Sequence, residues 1–333
     1  MIQHELPRLR LLMAPGTLPS RGVSRLDFQR YSRSGLPRMT GQELLTTLPE
    51  ISAIAQVEVD DANPHDVATL DDLRKLALRA NEILRLPDVD GMVLIQGTNS
   101  LEETAYFLNL TVHSAKPVVV TGAQRPYTAL SSDGPLNLFD AVRVASARET
   151  GGKGVVVVTN GEINAARDVT KTNTYHLHTF RSRDVGLLGY ADADQIVFYR
   201  APTRRHTIDS EFDVASVQHM PQVEILYVHA GARPGLAEAA IQLGAQGLVV
   251  AGSGAGAIGN LAGELTAIAA AGRAAVVQSS RVGEGRVVRN NSSYEPGMIV
   301  ADNLSPQKSA VLLSLALIRT ADPDEIQRLF EHY

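Results

Sequence analysis

Short β-rich runs recur along the chain, each followed by Gly, Thr or Asn and then a stretch with helical spacing. The runs at 9–14, 91–95, 117–120, 154–158, 223–229, 247–251 and 274–278 are rich in Val, Ile and Leu. Such runs predict strands buried on both faces, hence a parallel sheet under helices. The helical candidates are 69–86, 100–114, 135–150, 236–243, 261–272, 305–320 and 323–332. Strand–helix alternation of this kind predicts an α/β fold, doubly wound. The rhythm breaks after residue 200 in a charged, proline-bounded stretch, APTRRHTIDSEFDVASVQHMP. The expectation is a larger N-terminal domain with a mostly parallel sheet at 1–200, a linker at 201–222 and a smaller C-terminal α/β domain at 223–333.

Composition narrows the picture. The 333 residues are 44% hydrophobic and 20% charged, which fits a globular protein with sizeable cores. A formal net charge of −5 gives no basic footprint for nucleic acid. Cysteine is absent, which excludes disulfides, thiolate metal sites and cysteine nucleophiles. The longest uncharged stretch, 244–263, holds seven glycines and reads as strand plus loop rather than a membrane helix. The start, MIQHELPRLRLLM, mixes charges of both signs and lacks a long apolar core, so it does not read as a secretory signal. The cytoplasm is the expected location, with no membrane partner.

In open α/β sheets ligands bind beyond the carboxyl ends of the strands, so the residues just after each run matter most. After 91–95 comes QGTNSLEE, in which Ser100 and Glu103 fit a capping box and place a helix start near Ser100. Thr98 and Asn99 then sit at a strand-to-helix turn beside free amides. They either serve the turn alone or hold an attacking oxygen and stabilise negative charge. After 9–14 comes another hydroxyl, Thr17, then a long polar segment at 19–41, of a length associated with lids. It carries Tyr31; alone, an exposed loop tyrosine is more often surface decoration than a catalyst. Lys171 stands in the hydroxyl- and amide-rich run RDVTKTNT, either facing solvent or, if desolvated, able to act as a base toward a threonine.

Two patterns point elsewhere and fall short. Gly254-Ala255-Gly256-Ala257-Ile258-Gly259 fits the dinucleotide fingerprint, but the acid expected about twenty positions on is replaced by Gln278-Ser279-Ser280. His176 and His178 lie near Glu162 and Asp168 without a metal-binding spacing. Neither a cofactor nor a metal is expected.

Taken in order, the blocks QGTNSLEETAYFLNL, PVVVTGAQRP, SSDGPLNL, RDVTKTNT, QSSRVG and LSPQKSAVLLSLA resemble the bacterial L-asparaginase/glutaminase family over nearly the whole chain. The resemblance implies that family's two-domain fold and a homotetramer of tight dimers, or a homodimer, with sites near the subunit interface. It implies hydrolysis of a small carboxamide by two threonines. Thr17 matches the usual nucleophile and Tyr31 the tyrosine that helps it. Thr98 matches the second threonine and Lys171 its lysine.

The departures are as informative. Ala14-Pro15 stands where the family has Thr-Gly before Thr17. Asn99 replaces an aspartate that supports the lysine and binds the substrate's α-ammonium, so Lys171 loses an anion and its pKa is expected to fall. Asp61 and Ala62 fall where the family grips the substrate's zwitterion with Ser-Gln or Ser-Ser; Asp61, or Asp60 beside it, would repel a carboxylate. The run RNNSS at 289–293 lacks the acid that a neighbouring subunit normally adds, and Glu295 is displaced. An unpaired polar group costs about 1–3 kcal/mol. These changes favour an asparaginase-type hydrolase whose substrate is a different amide, a cyclic imide or lactam, or a lactone. The alternatives are an ordinary cytoplasmic L-asparaginase/glutaminase, or a weakly catalytic binding or regulatory homologue.

Overall fold

The computed structural model describes residues 5–60 and 65–333. The chain divides into two compact units, one ending at Ser210 and the other running from Glu211 to Tyr333. The division falls within the stretch read as a linker, which itself forms single 3-10 turns at Thr207–Asp209 and Val214–Ser216.

In the first unit, β1 (Arg8–Met13), β2 (Gln56–Val59), β3 (Gly91–Ile95), β4 (Val118–Thr121) and β5 (Val155–Thr159) are parallel, in the spatial order 2-1-3-4-5. Every residue of β3, β4 and β5 is buried, as continuous apolar runs require. Val93 and Ile95 pack in one cluster with Leu138, Ala141 and Val142 of α4 (Gly134–Ser146), the third major helix of this unit. Preceding it are α1 (Gly41–Thr46), α2 (Leu70–Arg85) and α3 (Leu101–Thr111). Thr40 and Thr69 each cap their helix reciprocally with Glu43 and Asp72.

The sheet continues past β5 in an antiparallel direction through β6 (Glu162–Ala165), β9 (Gly189–Ala191) and β10 (Ile196–Phe198), giving eight strands among the described residues. A separate pair, β7 (Thr170–Lys171) and β8 (Phe180–Arg181), holds Lys171 opposite Phe180. The second unit is a parallel sheet of β11 (Val223–Tyr227), β12 (Gly247–Gly252), β13 (Ala275–Ser280) and β14 (Ile299–Val300), with α5 (Leu236–Gln242) and α6 (Ala262–Ala270) between strands and α7 (Pro306–Arg319) and α8 (Pro323–His332) after the last. The glycine run after β12 turns sharply, and the Gly256 carbonyl accepts from Gln278 Nε2 at 2.7 Å. The fingerprint-like glycines thus serve a local turn, with positive φ at Gly254, Gly256 and Gly259.

Candidate active site

Strand order reverses between β1 and β3: the chain leaves β1 toward β2 on one side and returns to β3 on the other. A crevice opens at such a switch point. The loops after β1, β3 and β4 meet there at glycines. A Cβ on Gly16 would lie 2.4 Å from Gly97 N, and one on Gly122 would lie 2.5 Å from Gln96 O. Ala14 N donates to Ile95 O at 2.8 Å and Gly97 N to Pro15 O at 3.0 Å, so the first two loops are stitched through backbone. Pro15, which replaces a glycine of the family pattern, supplies that accepting carbonyl.

The cleft has a volume of about 510 Å³, and Thr17, Tyr31, Thr98, Asn99, Gln124 and Lys171 all line it. That is within the range of small-molecule sites. Thr17 Oγ1 and Tyr31 Oη share a hydrogen bond of 2.8 Å. Tyr31 opens a 3-10 turn, Tyr31–Arg33, inside the long polar segment. That segment is pinned rather than free: Gly22 N donates to Thr128 Oγ1, Leu130 N to Arg25 O, and Arg21 pairs with Glu43 at 3.0 Å.

On the other side, Lys171 Nζ donates to Thr98 Oγ1 at 2.7 Å, and Thr98 Oγ1 donates to Gln124 Oε1 at 3.1 Å. Thr98 is buried, whereas Asn99 is exposed at the mouth of the cleft. The Ser100–Glu103 capping box does not form. Ser100 occupies the N-cap position of α3 without a capping bond, and its hydroxyl accepts from Gln96 Nε2 at 3.3 Å instead. Gln96 is itself buried and reaches Thr104 as well, so the side chain that begins the motif claims the serine.

Burial lowers the Lys171 pKa from its ordinary value, and the Glu102 carboxylate opposes that shift. Glu102 Oε1 also accepts the Lys171 backbone N–H at 3.2 Å. The lysine therefore keeps an anion, one turn further along α3 than the position at which Asn99 stands. Glu102, beside the cleft, and Gln124, in its lining, are the partners of Lys171 and Thr98 that sequence reasoning left without roles. Both lie inside the family-like blocks, but their contacts span 69 and 26 residues and no local spacing announces them.

Gln124 is held by its neighbours. Asp133 accepts from the backbone N–H groups of Gln124 and Arg125 at 2.8 and 2.9 Å, and Asn137 Nδ2 donates to Gly122 O at 2.9 Å. The Asp133 side chain thus fixes the loop after β4 rather than capping α4.

Asp61 and Ala62 lie outside the described residues. Asp60, expected to repel a substrate carboxylate in their place, is engaged elsewhere. Its oxygens accept from Arg79 Nε and Nη2 at 3.1 and 2.6 Å, and His65 Nε2 lies 3.4 Å away. The Arg79 guanidinium holds the Asp60 carboxyl below the usual carboxylate range. His178 Nε2 meets Glu162 Oε1 at 2.8 Å, and among the described residues no cluster of three or more His, Asp or Glu is arranged to hold a metal. No helix among them is long and apolar enough to cross a membrane.

The family profile described as Asparaginase, N-terminal matches residues 8–204, and that of the Glutaminase/Asparaginase C-terminal domain matches residues 222–330. The chain is 42% identical over 333 residues to L-asparaginase 2 of Bacillus subtilis, covering 99% of this chain and 88% of that protein. It is 38% identical over 333 residues to a probable periplasmic L-asparaginase of Haemophilus influenzae, covering 99% and 94% respectively. The crystal structure of a probable cytoplasmic L-asparaginase from Campylobacter jejuni superposes with a TM-score of 0.91 at 37% identity, covering 98% of this chain and all of that one. By sequence over both of its units and by fold, the chain belongs to the asparaginase/glutaminase family.

Proposed function

We propose that this amidohydrolase is an L-asparaginase, converting L-asparagine and water to L-aspartate and ammonia. The observation that carries the reading is the pair of hydroxyls in one cleft, each with its own proton partner: Thr17 with Tyr31, and Thr98 with Lys171. The 42% identity to a relative named L-asparaginase 2 supports the same substrate.

In the proposed sequence Thr17 Oγ1 bonds to the carboxamide carbon. The C–N bond breaks, and ammonia leaves with the proton that Thr17 gave up through Tyr31. An acyl ester on Thr17 remains. Water then attacks the ester while the Thr98–Lys171 pair takes its proton; the Thr17–acyl bond breaks, and that proton returns to the departing Thr17 oxygen, restoring its hydroxyl and the neutral lysine. No cofactor enters this scheme.

One observation favours a second reading. Asn99 is exposed at the cleft mouth without the negative charge that an α-ammonium would seek. Amides, cyclic imides or lactones lacking the ammonium would suit such a mouth. Ammonia release from L-asparagine, L-glutamine and a panel of ammonium-free amides, with ring opening of cyclic imides and lactones followed beside it and Thr17→Ala as the blank, decides between the two. Release from L-asparagine with a low KM supports the first reading; release only from the ammonium-free panel overturns it in favour of the second.

A homotetramer or homodimer is part of the same proposal, tested by light scattering during size exclusion; a monomer that is fully active overturns it. So is a cytoplasmic location, as in the Campylobacter relative's name, against the periplasmic one of the Haemophilus relative. Cell fractionation tests it, and co-purification with a periplasmic marker overturns it.

A further inference from the structure

Gln124 has no part in the scheme above, yet its amide is fixed at both ends. Its Nε2 faces the carbonyl oxygens of His176 at 3.1 Å and Thr174 at 3.5 Å, which only accept. Oε1 is thereby turned toward Thr98 Oγ1 at 3.1 Å, where it too only accepts. A hydroxyl carries one proton. Given to Gln124, that proton is not available to Lys171, whose Nζ lies 2.7 Å from the same oxygen and donates to it. We propose that Gln124 is a positioning residue that holds the Thr98 proton away from Lys171, so that the pair rests in the lysine-to-threonine direction and must reverse before Lys171 works as a base.

The reversal is a rotation about the Thr98 Cβ–Oγ1 bond, with no covalent change. Donation to Gln124 makes the threonine oxygen a better acceptor and so favours the ammonium form of Lys171. Without Gln124 the hydroxyl turns and donates to the neutral amine. The other charged or titratable groups around Lys171 are Glu102 on α3, Arg181 on β8, opposite Thr170, and Tyr31, Arg38, Asp66 and Tyr175 in the same cleft. A change at position 124 removes none of these groups; Gln124→Met also ends the bonds to Thr174 and His176 on either side of Tyr175, and comparison with Gln124→Glu separates that loss from the sign of the Thr98 effect.

The inference rests on the Thr98–Lys171 pair serving the hydrolysis proposed above, and its test has a readout apart from activity. The Lys171 Nζ is titrated by 15N NMR of lysine-labelled protein, assigned with Lys171→Arg, in the unsubstituted protein and in Gln124→Met and Gln124→Glu. The pH profile of kcat is recorded beside it. Gln124→Met is expected to move the Lys171 midpoint, and the acid limb of kcat, about one unit to lower pH, with KM little changed. Gln124→Glu sets a carboxylate beside the pair and is expected to move both to higher pH. A midpoint unmoved in Gln124→Met, or moved the same way by both variants, overturns the proposal. If the midpoints move as expected while no amide is hydrolysed, this inference stands and the hydrolase reading falls; unmoved midpoints in an active enzyme have the opposite meaning.

Discussion

Tyr31 Oη lies 2.8 Å from Thr17 Oγ1, joining two residues fourteen apart across the segment that follows β1. The contact depends on that segment being tied down at Thr128 and Leu130. Tyr31→Phe keeps the ring and removes the hydroxyl. If Tyr31 relays the Thr17 proton, kcat for ammonia release falls about 100-fold while the denaturation midpoint stays where it was. A kcat within a factor of two of the unsubstituted protein would remove Tyr31 from the reaction.

Lys171 supplies a pH dependence with a definite sign. In the proposed scheme its neutral form is the base; burial lowers its pKa, so kcat is expected to rise with pH along a limb below the ordinary lysine range. Glu102 works against burial by favouring the ammonium. Glu102→Gln is therefore expected to move the acid limb to still lower pH. A limb that moves upward would assign it to another group.

The parallel half of the large sheet was legible because β3, β4 and β5 are continuous apolar runs, a pattern that burial on both faces demands, and β1 is a Leu-rich run interrupted only by Arg10. The strand QVEV of β2 escaped because an edge position leaves Gln56 and Glu58 exposed and breaks the run. The antiparallel extension through β6, β9 and β10 escaped for a different reason: strands of three or four residues carry too little periodicity. In the site, the family resemblance supplied the roles of Thr17, Thr98 and Lys171; the threonines stood out by their place after strands and the lysine by its hydroxyl- and amide-rich run. Their partners did not, because Glu102 and Gln124 reach Lys171 and Thr98 only through the folded chain. Asp60 shows the same limit in reverse, since a carboxylate at a strand end reads as a free charge until Arg79 arrives from α2.

That ion pair makes a stability prediction. The Asp60 side chain is 6% exposed and its partner Arg79 is 39% exposed. Arg79→Met leaves a nearly buried carboxylate with only His65 beside it. The expected loss is about 2 kcal/mol at pH 7, less than a fully buried pair would give because Arg79 is partly solvated. Asp60 has a depressed pKa in the folded state, so its contribution is present above the unfolded pKa and disappears as pH falls through the folded one. Urea denaturation at pH 7 and below about pH 4 should show the difference between the two proteins shrinking. An equal difference at both pH values would mean the loss is one of packing.

Asn99→Asp restores a negative charge at the cleft mouth. If the substrate carries an α-ammonium there, KM for L-asparagine falls by about fivefold, the scale of one partly exposed ion pair. KM for an amide without the ammonium stays unchanged. An equal change for both substrates would place the ammonium elsewhere.

Gly16, Gly97 and Gly122 bring three loops together with no space for a methyl group between them. Backbone alone therefore sets the gauge between the loop that carries Thr17 and the loop that carries Thr98. An exposed side chain at the rim, such as Asn99, can be replaced without disturbing that gauge. The two hydroxyl-bearing loops are thus geared together: a side chain added at any of the three glycines would displace both hydroxyls at once, whereas a change at the mouth leaves their separation as it is.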